Sequence, residues 1–331
     1  MNNSFNSYLS NYISMYIETK RCLGFKFEAQ ITYFKRLDRD LIERKEIGPG
    51  LSKVFCDYWY EKNSWESERT YYARCIILRE FSGFLNNMGI PSYCPRSPKY
   101  PKSSYVPYVF SHSEIERLIK ATDGITCRYH KSENGMYCIS VLIRVLYATG
   151  MRIGELLSLK EDDVDFNSQT ITIKDSKNGM QRLIPIDDTL TDILIRYTDL
   201  KTKLLIGFND SGYFFTNLQG DKLKINNIKV AFRLCLLKAG IHYLGPKIGP
   251  KLHSLRHTFA CHSIARMSNE GYDTYVILPI LATYLGHKQM DSINYYVRMT
   301  AEVFPTISKQ LEDSCINVYP MIRNLDGYEA K

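Results

Sequence analysis

The sequence lacks the features that mark several large classes of protein. Its longest apolar run, YVILPILATYL at 275–285, contains Pro279 and is too short to span a bilayer. The first ten residues, MNNSFNSYLS, have no basic segment followed by an apolar one, so we expect no secretion signal. We therefore expect a cytoplasmic protein without a membrane partner.

Cysteine pairs of the CxxC type are also missing. The nine cysteines are scattered and odd in number, which is typical of reduced thiols rather than of a disulfide framework. Cys127 and His130 have a metal-like spacing, but no second pair of ligands lies near them in the sequence. Carboxylates do not cluster as Mg²⁺ ligands would, and no glycine-rich loop is placed to hold a nucleotide. The sequence therefore predicts no metal and no cofactor.

The composition is that of an ordinary globular protein. Of 331 residues, 44% are hydrophobic and 24% are charged, and this length predicts two domains rather than one. The formal net charge of +8 suits a polyanionic partner. Because many proteins without such a partner carry as much charge, the charge alone decides little.

A proline-rich segment divides the chain. Residues 93–107, YCPRSPKYPKSSYVP, contain four prolines, which remove backbone donors and favour extended conformations, so we interpret them as a linker. Residues 1–92 predict a helical domain, because apolar residues recur at helical spacing in EAQITYFKRLDRDLIER and ESERTYYARCIILREFSGFL. Breaks at Gly24 and 48–50 leave about four helices.

Residues 108–331 predict a larger, mainly helical domain. Ser111 and Glu114 have the spacing of a capping box at a helix start, and a later apolar helix stops at Gly150.

Only QTITIKDSKNGMQRLIPI alternates as a β-hairpin does. Asn178-Gly179 is a favoured two-residue turn, and 183–186 is the expected return strand. The predicted fold class is therefore mainly α with a small β-hairpin or sheet.

An arginine and a glutamate stand together in ATGMRIGELLSL. Arg152 directly follows a glycine break, and Glu155 comes one helical turn later, so the two side chains are neighbours. They could form only an ion pair at a helix start. Alternatively, Glu155 could hold Arg152 as a fork aimed at an oxyanion or a phosphate.

Three more polar positions are difficult to explain by packing. KLHSLRHTFACHS places His253 and Arg256 on one helix face, where both can donate to a phosphate and the histidine can also move a proton. A lone histidine would more often be a packing residue. His287 follows a glycine corner in LGHKQM. Lys177 precedes the Asn178-Gly179 turn, where by itself it would be an ordinary exposed lysine.

Together these residues match the needs of phosphodiester chemistry without a metal. Such a transition state gathers negative charge on its non-bridging oxygens, which guanidinium and imidazole donors can neutralise. It also needs a nucleophile, and an acid for the leaving alkoxide. The segment LGHKQMDSINYY offers two candidate nucleophiles, Tyr295 and Tyr296.

The order ATGMRIGELLSL, SKNGMQRLIP, HSLRHTFA, LGH and a following tyrosine resembles the tyrosine recombinase (phage integrase) family over 105–300. The helices of 1–92 resemble that family's core-binding domain, which clamps DNA. The family nucleophile usually lies nine residues beyond the LGH histidine, so the resemblance indicates Tyr296 and leaves Tyr295 as a packing or positioning neighbour. The segments KRCLGFKF, TYVILPILATYLGH and YYVRMTAEVFP resemble the transposon-encoded branch. We expect no arm-site binding module of the kind found in lambda-like integrases.

The resemblance implies a site and a reaction. Tyr296 would attack the scissile phosphate, leaving a 3′-phosphotyrosine and a free 5′-hydroxyl that Lys177 protonates. His253 would assist proton transfer at the tyrosine, and the remaining basic residues would stabilise the phosphorane without ATP or metal. The full implied set is Arg152, Lys177, His253, Arg256, His287 and Tyr296, with Glu155 in support.

The resemblance also implies partners. These are double-stranded DNA with inverted-repeat core sites, accessory proteins as optional partners, and further copies of the chain. A homo-tetramer would exchange strands through a Holliday junction, held together by the tail after Tyr296, and would be nucleoid-associated. We expect Arg74 of the helical domain, with Lys99 and Lys102 of the linker, to contact DNA.

Several alternatives stay open. A type IB topoisomerase shares much of this chemistry but relaxes supercoils as a monomer, and the tail after Tyr296 favours the recombinase. A chromosome or plasmid dimer resolvase of the same family would use the same site. A catalytically silent DNA-binding protein would show decay of the residue set, and no member of the set is missing.

Overall fold

The computed structural model describes residues 4–101, 106–124, 136–174, 181–205, 211–245 and 249–286. The chain divides into two compact units, residues 1–104 and 105–331. The boundary between the units falls inside the proline-rich segment 93–107.

Four helices form the described part of the N-terminal unit, as the sequence predicts. They are α1 (Ser10–Cys22), α2 (Glu28–Glu43), α3 (Lys53–Tyr60) and α4 (Glu68–Asn87). Ser52 and Ser67 precede α3 and α4, and each side chain accepts a hydrogen bond from the backbone N–H three residues later. These caps satisfy donors that the first turn of a helix leaves open.

The core of the N-terminal unit is aromatic. The predicted apolar stripe of α2 is buried in it. The ring of Tyr16 lies between 5.1 and 5.8 Å, centroid to centroid, from the rings of Phe27, Phe34, Phe81 and Phe84. Most of these pairs are edge-to-face or tilted, the arrangements that aromatic quadrupoles favour.

The described part of the C-terminal unit is mainly helical with one small sheet, which confirms the predicted fold class. Its elements are α5 (His112–Asp123), α6 (Ile139–Thr149), α7 (Ile153–Leu156), β1 (Val164–Asp165), β2 (Thr170–Ile173), β3 (Arg182–Pro185), α8 (Asp188–Leu204), α9 (Ile225–Lys238), α10 (Leu252–Asn269) and α11 (Thr274–Leu285). The capping box at Ser111 and Glu114 is formed as predicted. No helix in the described part of the chain is both long and apolar enough to cross a membrane.

The sheet is antiparallel, in the order β1-β2-β3. Ile171 lies opposite Ile184 and both are buried, whereas Leu183 is 63% exposed. The return strand begins at Arg182, one residue before the predicted start. Because side chains alternate along a strand, Arg182 lies on the same face as buried Ile184.

The end of α6 is a sharp corner. Gly150 has φ +60, in the left-handed region that a residue with Cβ enters only at a cost. A Cβ built on it would lie 2.3 Å from Cδ1 of Phe259 on α10. The glycine therefore permits both the turn and the close packing of α6 against α10. It also fixes where the chain turns towards Arg152, two residues later.

Candidate active site

Arg152 and Glu155 form the first part of the site, at the start of α7. Arg152 Nη1 donates to Glu155 Oε1 at 2.7 Å, and the Arg152 backbone N–H donates to Oε2 at 2.9 Å. The Glu155 side chain is 3% exposed, whereas the Arg152 side chain keeps 22% exposure. The buried Glu155 carboxylate thus binds the Arg152 guanidinium on its inner side, and the outer part of the guanidinium stays accessible.

A second arginine, which the sequence analysis missed, binds the same carboxylate. Arg182 Nη2 donates to Glu155 Oε2 at 2.7 Å, and Nη1 lies 3.3 Å from Oε1. A signal for it was present in the sequence. Arg182 alternates with Ile184 on the inward face of the return strand, and an arginine rarely occupies such a position without a buried partner.

The charge of Glu155 is fixed by these neighbours. Burial alone would raise the pKa of this carboxyl, but hydrogen bonds from Arg182 and Arg152 outweigh burial and lower the pKa to about 2. Glu155 therefore stays ionised at neutral pH and remains an acceptor for both arginines.

Arg256 joins two distant segments of the chain. Its side chain lies on α10 and is 1% exposed. Nη1 donates to the Gly150 carbonyl at 2.8 Å, and Nη2 donates to the Leu285 carbonyl at 2.6 Å. The carbonyls at the ends of α6 and α11 lack intrahelical partners, so the guanidinium satisfies both helix ends at once.

The end of α11 is where the three segments meet. Arg152 Nη2 lies 3.3 Å from the Gly286 carbonyl, and Arg256 binds the carbonyl just before it. Gly286 has φ +67, and a Cβ built on it would lie 3.2 Å from Arg182 Nη1. All three arginines therefore lie around the residue that directly precedes His287.

His253 lies in the first turn of α10, three residues before Arg256, and its side chain is exposed. It lines a cavity of about 300 Å³ together with Ile153 and Lys251. Partial desolvation lowers the pKa of His253 to about 4, and the positive charges of Arg256 and Arg152 act in the same direction. The imidazole is therefore neutral at neutral pH.

Several predicted residues lie outside the described part of the chain. They are Lys102, Lys177, His287, Tyr295 and Tyr296, together with Cys127 and His130. Their assignments stay predictions. Among the described residues, no group of three or more His, Cys, Asp and Glu side chains is arranged to hold a metal ion.

A further tyrosine, Tyr284, stands near the arginines. Its ring stacks on Phe259 with centroids 5.6 Å apart. Burial raises the pKa of Tyr284 to about 12, although the charges of Arg182 and Arg256 oppose the shift. The stacking on Phe259 and the burial of the ring make Tyr284 a packing residue at the end of α11.

The prediction that Arg74 contacts DNA does not fit its position. Arg74 is completely buried in the N-terminal unit, where it forms an ion pair of 2.8 Å with Glu66. In the sequence, Arg74 occupies a position on α4 that suggests a polar, exposed residue. In the structure, its N–H groups donate to Glu66 and to two backbone carbonyls, which the sequence pattern does not show. Lys99 is exposed and so is accessible to a partner, as its prediction requires.

The pairing of His262 with His112 was not predicted from the sequence. Their rings stack at 3.9 Å, and His262 Nδ1 lies 3.0 Å from the Tyr147 hydroxyl. Burial lowers the pKa of His262 to about 4, with His112 acting in the same direction. These contacts tie α5, α6 and α10 together, so His262 is explained by packing.

Comparison with known proteins shows the family to which the chain belongs. The model of the phage integrase family matches residues 109–302, more than half of the chain. A candidate integrase/recombinase of Sinorhizobium fredii, y4rB, is 28% identical over 308 residues, covering 91% of this chain and 96% of that protein. Tyrosine recombinase XerC of Staphylococcus saprophyticus is 28% identical over 293 residues, covering 86% of this chain and 85% of that protein.

A solved structure shares the fold. The Tn1549 transposon integrase, in complex with transposon right end DNA, superposes with a TM-score of 0.59 at 17% identity, covering 89% of this chain and 99% of that one. At this identity the likeness concerns the fold alone. With more than half of the chain matched by the family model, the protein belongs to the phage integrase family, the tyrosine-type site-specific recombinases.

Proposed function

We propose that the chain cleaves and rejoins DNA through a 3′-phosphotyrosine at Tyr296, for integration or excision of a mobile element. One observation carries this proposal. Arg152 and Arg256, from separate segments, donate to two successive carbonyls at the end of α11, directly before His287. This convergence gathers positive charge around the residues that directly precede His287 in the sequence.

Each residue has a part in the proposed reaction. Arg152, with its accessible edge, and Arg256 stabilise the charge that develops on the non-bridging phosphate oxygens, and His287 donates to the same phosphorane. A neutral His253 accepts the tyrosyl proton. Lys177 protonates the leaving 5′ oxygen. The phosphotyrosine conserves the bond energy, so rejoining needs no external energy source.

The proposed partner is double-stranded DNA with inverted-repeat core sites. The chain would act on it as a homo-tetramer, in which the segment after Tyr296 docks on a neighbouring copy. The match to y4rB, whose name includes integrase, supports the mobile-element role. The match to tyrosine recombinase XerC keeps the dimer resolvase as a second candidate.

The proposed nucleophile is tested with nicked suicide duplexes tiled across the DNA that flanks the gene. Wild-type protein is expected to become covalently linked to the 3′ phosphate of the cut strand, measured as a labelled adduct on a denaturing gel. Tyr296→Phe is expected to reduce the adduct to background, because the attacking oxygen is gone. Tyr295→Phe, the matched control in the adjacent position, is expected to retain it.

Different outcomes would overturn different parts of the proposal. An adduct that survives Tyr296→Phe but not Tyr295→Phe would exchange the roles of the two tyrosines. No adduct from the wild type on any duplex would reject the cleavage reaction. Relaxation of a supercoiled plasmid that lacks every tiled sequence would indicate the topoisomerase. Recombination only between identical repeats on one molecule would indicate the resolvase.

A further inference from the structure

Arg182 lies where several elements of the candidate site meet. It begins β3, the strand that follows Lys177 in the sequence, and it binds both oxygens of Glu155. Its Nη1 also lies against Gly286, the residue before His287. One guanidinium therefore binds the carboxylate that holds Arg152 and lies close to the corner at the end of α11.

The hydrogen bonding of Arg182 differs from that of an arginine that only stabilises a fold. The side chain is 12% exposed, yet in the described part of the chain its buried Nε has no hydrogen-bond acceptor. Leaving a buried donor without a partner destabilises the folded state, which is a cost to the protein. The arginine is held in this position by Glu155 in spite of that cost.

The charges around Glu155 give a reason for the arrangement. One carboxylate can neutralise one guanidinium, and here it is shared by Arg152 and Arg182. If Arg182 were absent, Glu155 would pair with Arg152 alone and neutralise the charge that a phosphate would otherwise meet. With both arginines present, the cluster keeps a net positive charge, and the attraction for a phosphate is preserved.

We infer that Arg182 is a positioning residue for DNA cleavage: by sharing Glu155 it fixes the direction of Arg152 and keeps the Arg152 charge available to the scissile phosphate. The inference rests on the proposed function. Arg182 itself does not contact the phosphate.

The test is single-turnover adduct formation by the full chain on the duplex that the wild type cleaves best. Arg182→Met is expected to slow adduct formation about 10- to 100-fold, because a misdirected catalytic group typically costs up to that much. Arg182→Lys keeps the charge without the bidentate geometry and is expected to recover part of this loss. Arg144→Met is the matched control, since it breaks the pair between Arg144 and Asp123 in the same unit.

The outcomes separate the inference from the proposed function. Absence of an adduct in the wild type rejects the proposed function. A wild-type adduct with an equal rate in Arg182→Met rejects the inference. A loss of DNA affinity in Arg182→Met as large as the loss of cleavage rate would mean a direct phosphate contact, and that also rejects the positioning role. Equal slowing by Arg144→Met would show that both variants act through general destabilisation, and would reject the positioning role.

A pH profile gives a readout that a merely structural role would not change. Loss of Arg182 removes the strongest interaction that lowers the pKa of Glu155, while burial still raises it, so the carboxyl protonates at higher pH. Cleavage by Arg182→Met is therefore expected to begin to fall at a higher pH than wild-type cleavage as the pH is lowered. An unchanged profile would contradict the inference. Besides the two arginines, the charged groups that line the cavity beside Glu155 are Lys160, Asp162, Asp163, Lys174 and Lys222.

Discussion

Both units contain a buried glutamate bound by arginine. The ion pair is completely buried, or closed, only in the N-terminal unit. In the N-terminal unit, Arg74 and Glu66 are 0% and 1% exposed. The Arg74 guanidinium donates from all three of its nitrogens, to both oxygens of Glu66 and to the carbonyls of Trp59 and Glu61. Four of its five N–H groups are used in this way and the side chain is completely buried, so the guanidinium is not accessible to a ligand.

The pair in the C-terminal unit is open. Arg152 and Arg182 share Glu155, with 22% and 12% of their side chains exposed. The same two residue types therefore serve different purposes. When carbonyls take up the remaining donors, the pair stabilises the fold; when two arginines share one carboxylate, positive charge is left for a partner.

The largest loss of unfolding free energy is expected from breaking the closed ion pair between Arg74 and Glu66. Arg74→Met leaves Glu66 buried without its partner, which typically costs about 3–5 kcal/mol of unfolding free energy. Urea denaturation followed by tryptophan fluorescence measures it, because Trp59 and Trp65 are the only tryptophans of the chain and both lie in this unit. Arg69→Met, at an exposed position of the same helix, is the control. A loss below about 1 kcal/mol, as for surface pairs, would show that the pair is not closed.

A slightly smaller effect is expected from protonating Glu155 in the open cluster. Its pKa is about 2 when folded and 4.5 ordinarily. The stabilisation is therefore complete above about pH 4.5 and is lost as the pH falls towards 2, by about 3 kcal/mol in total. Urea denaturation of the C-terminal unit, followed by circular dichroism at several pH values, measures this slope. Glu155→Gln is expected to be less stable at neutral pH and to lack that part of the slope; an identical slope in both proteins would contradict the assigned pKa.

The smallest of the three effects concerns the corner on which the open cluster is built. Gly150→Ala adds a Cβ at positive φ, 2.3 Å from Phe259, and is expected to cost about 2 kcal/mol. Gly154→Ala is the matched control, because a Cβ there would meet no atom within 4 Å. It is expected to be neutral or slightly stabilising, since alanine favours helix. Equal thermal stability of the two variants would mean that the corner is not constrained.

Local sequence patterns predicted much of the fold. Apolar spacing gave the helices of the N-terminal unit, Ser111 and Glu114 gave the start of α5, and the alternation of Ile171 and Ile173 gave β2. The strand Val164–Asp165 was missed because two residues are too few to show alternation.

The site was harder to predict where long-range partners decide a residue's role. Arg152 and Glu155 are neighbours in sequence, so their contact was predictable, whereas Arg182 reaches Glu155 from a separate strand. Arg74 was misassigned for the same reason: its burial depends on Glu66 and on carbonyls of another segment, and the helical pattern of α4 contains no information about them.

The bond between Arg152 and the Gly286 carbonyl joins residues 134 positions apart in the chain. Arg152 leaves the ribosome long before Gly286 is made, and closing so long a loop is among the slower events of folding. A nascent or truncated chain that stops before the end of α11 therefore has the first arginine without its final contacts. Assembly of the cluster is thus a late step in biosynthesis, so the arginines acquire their final contacts only after most of the chain has been synthesised.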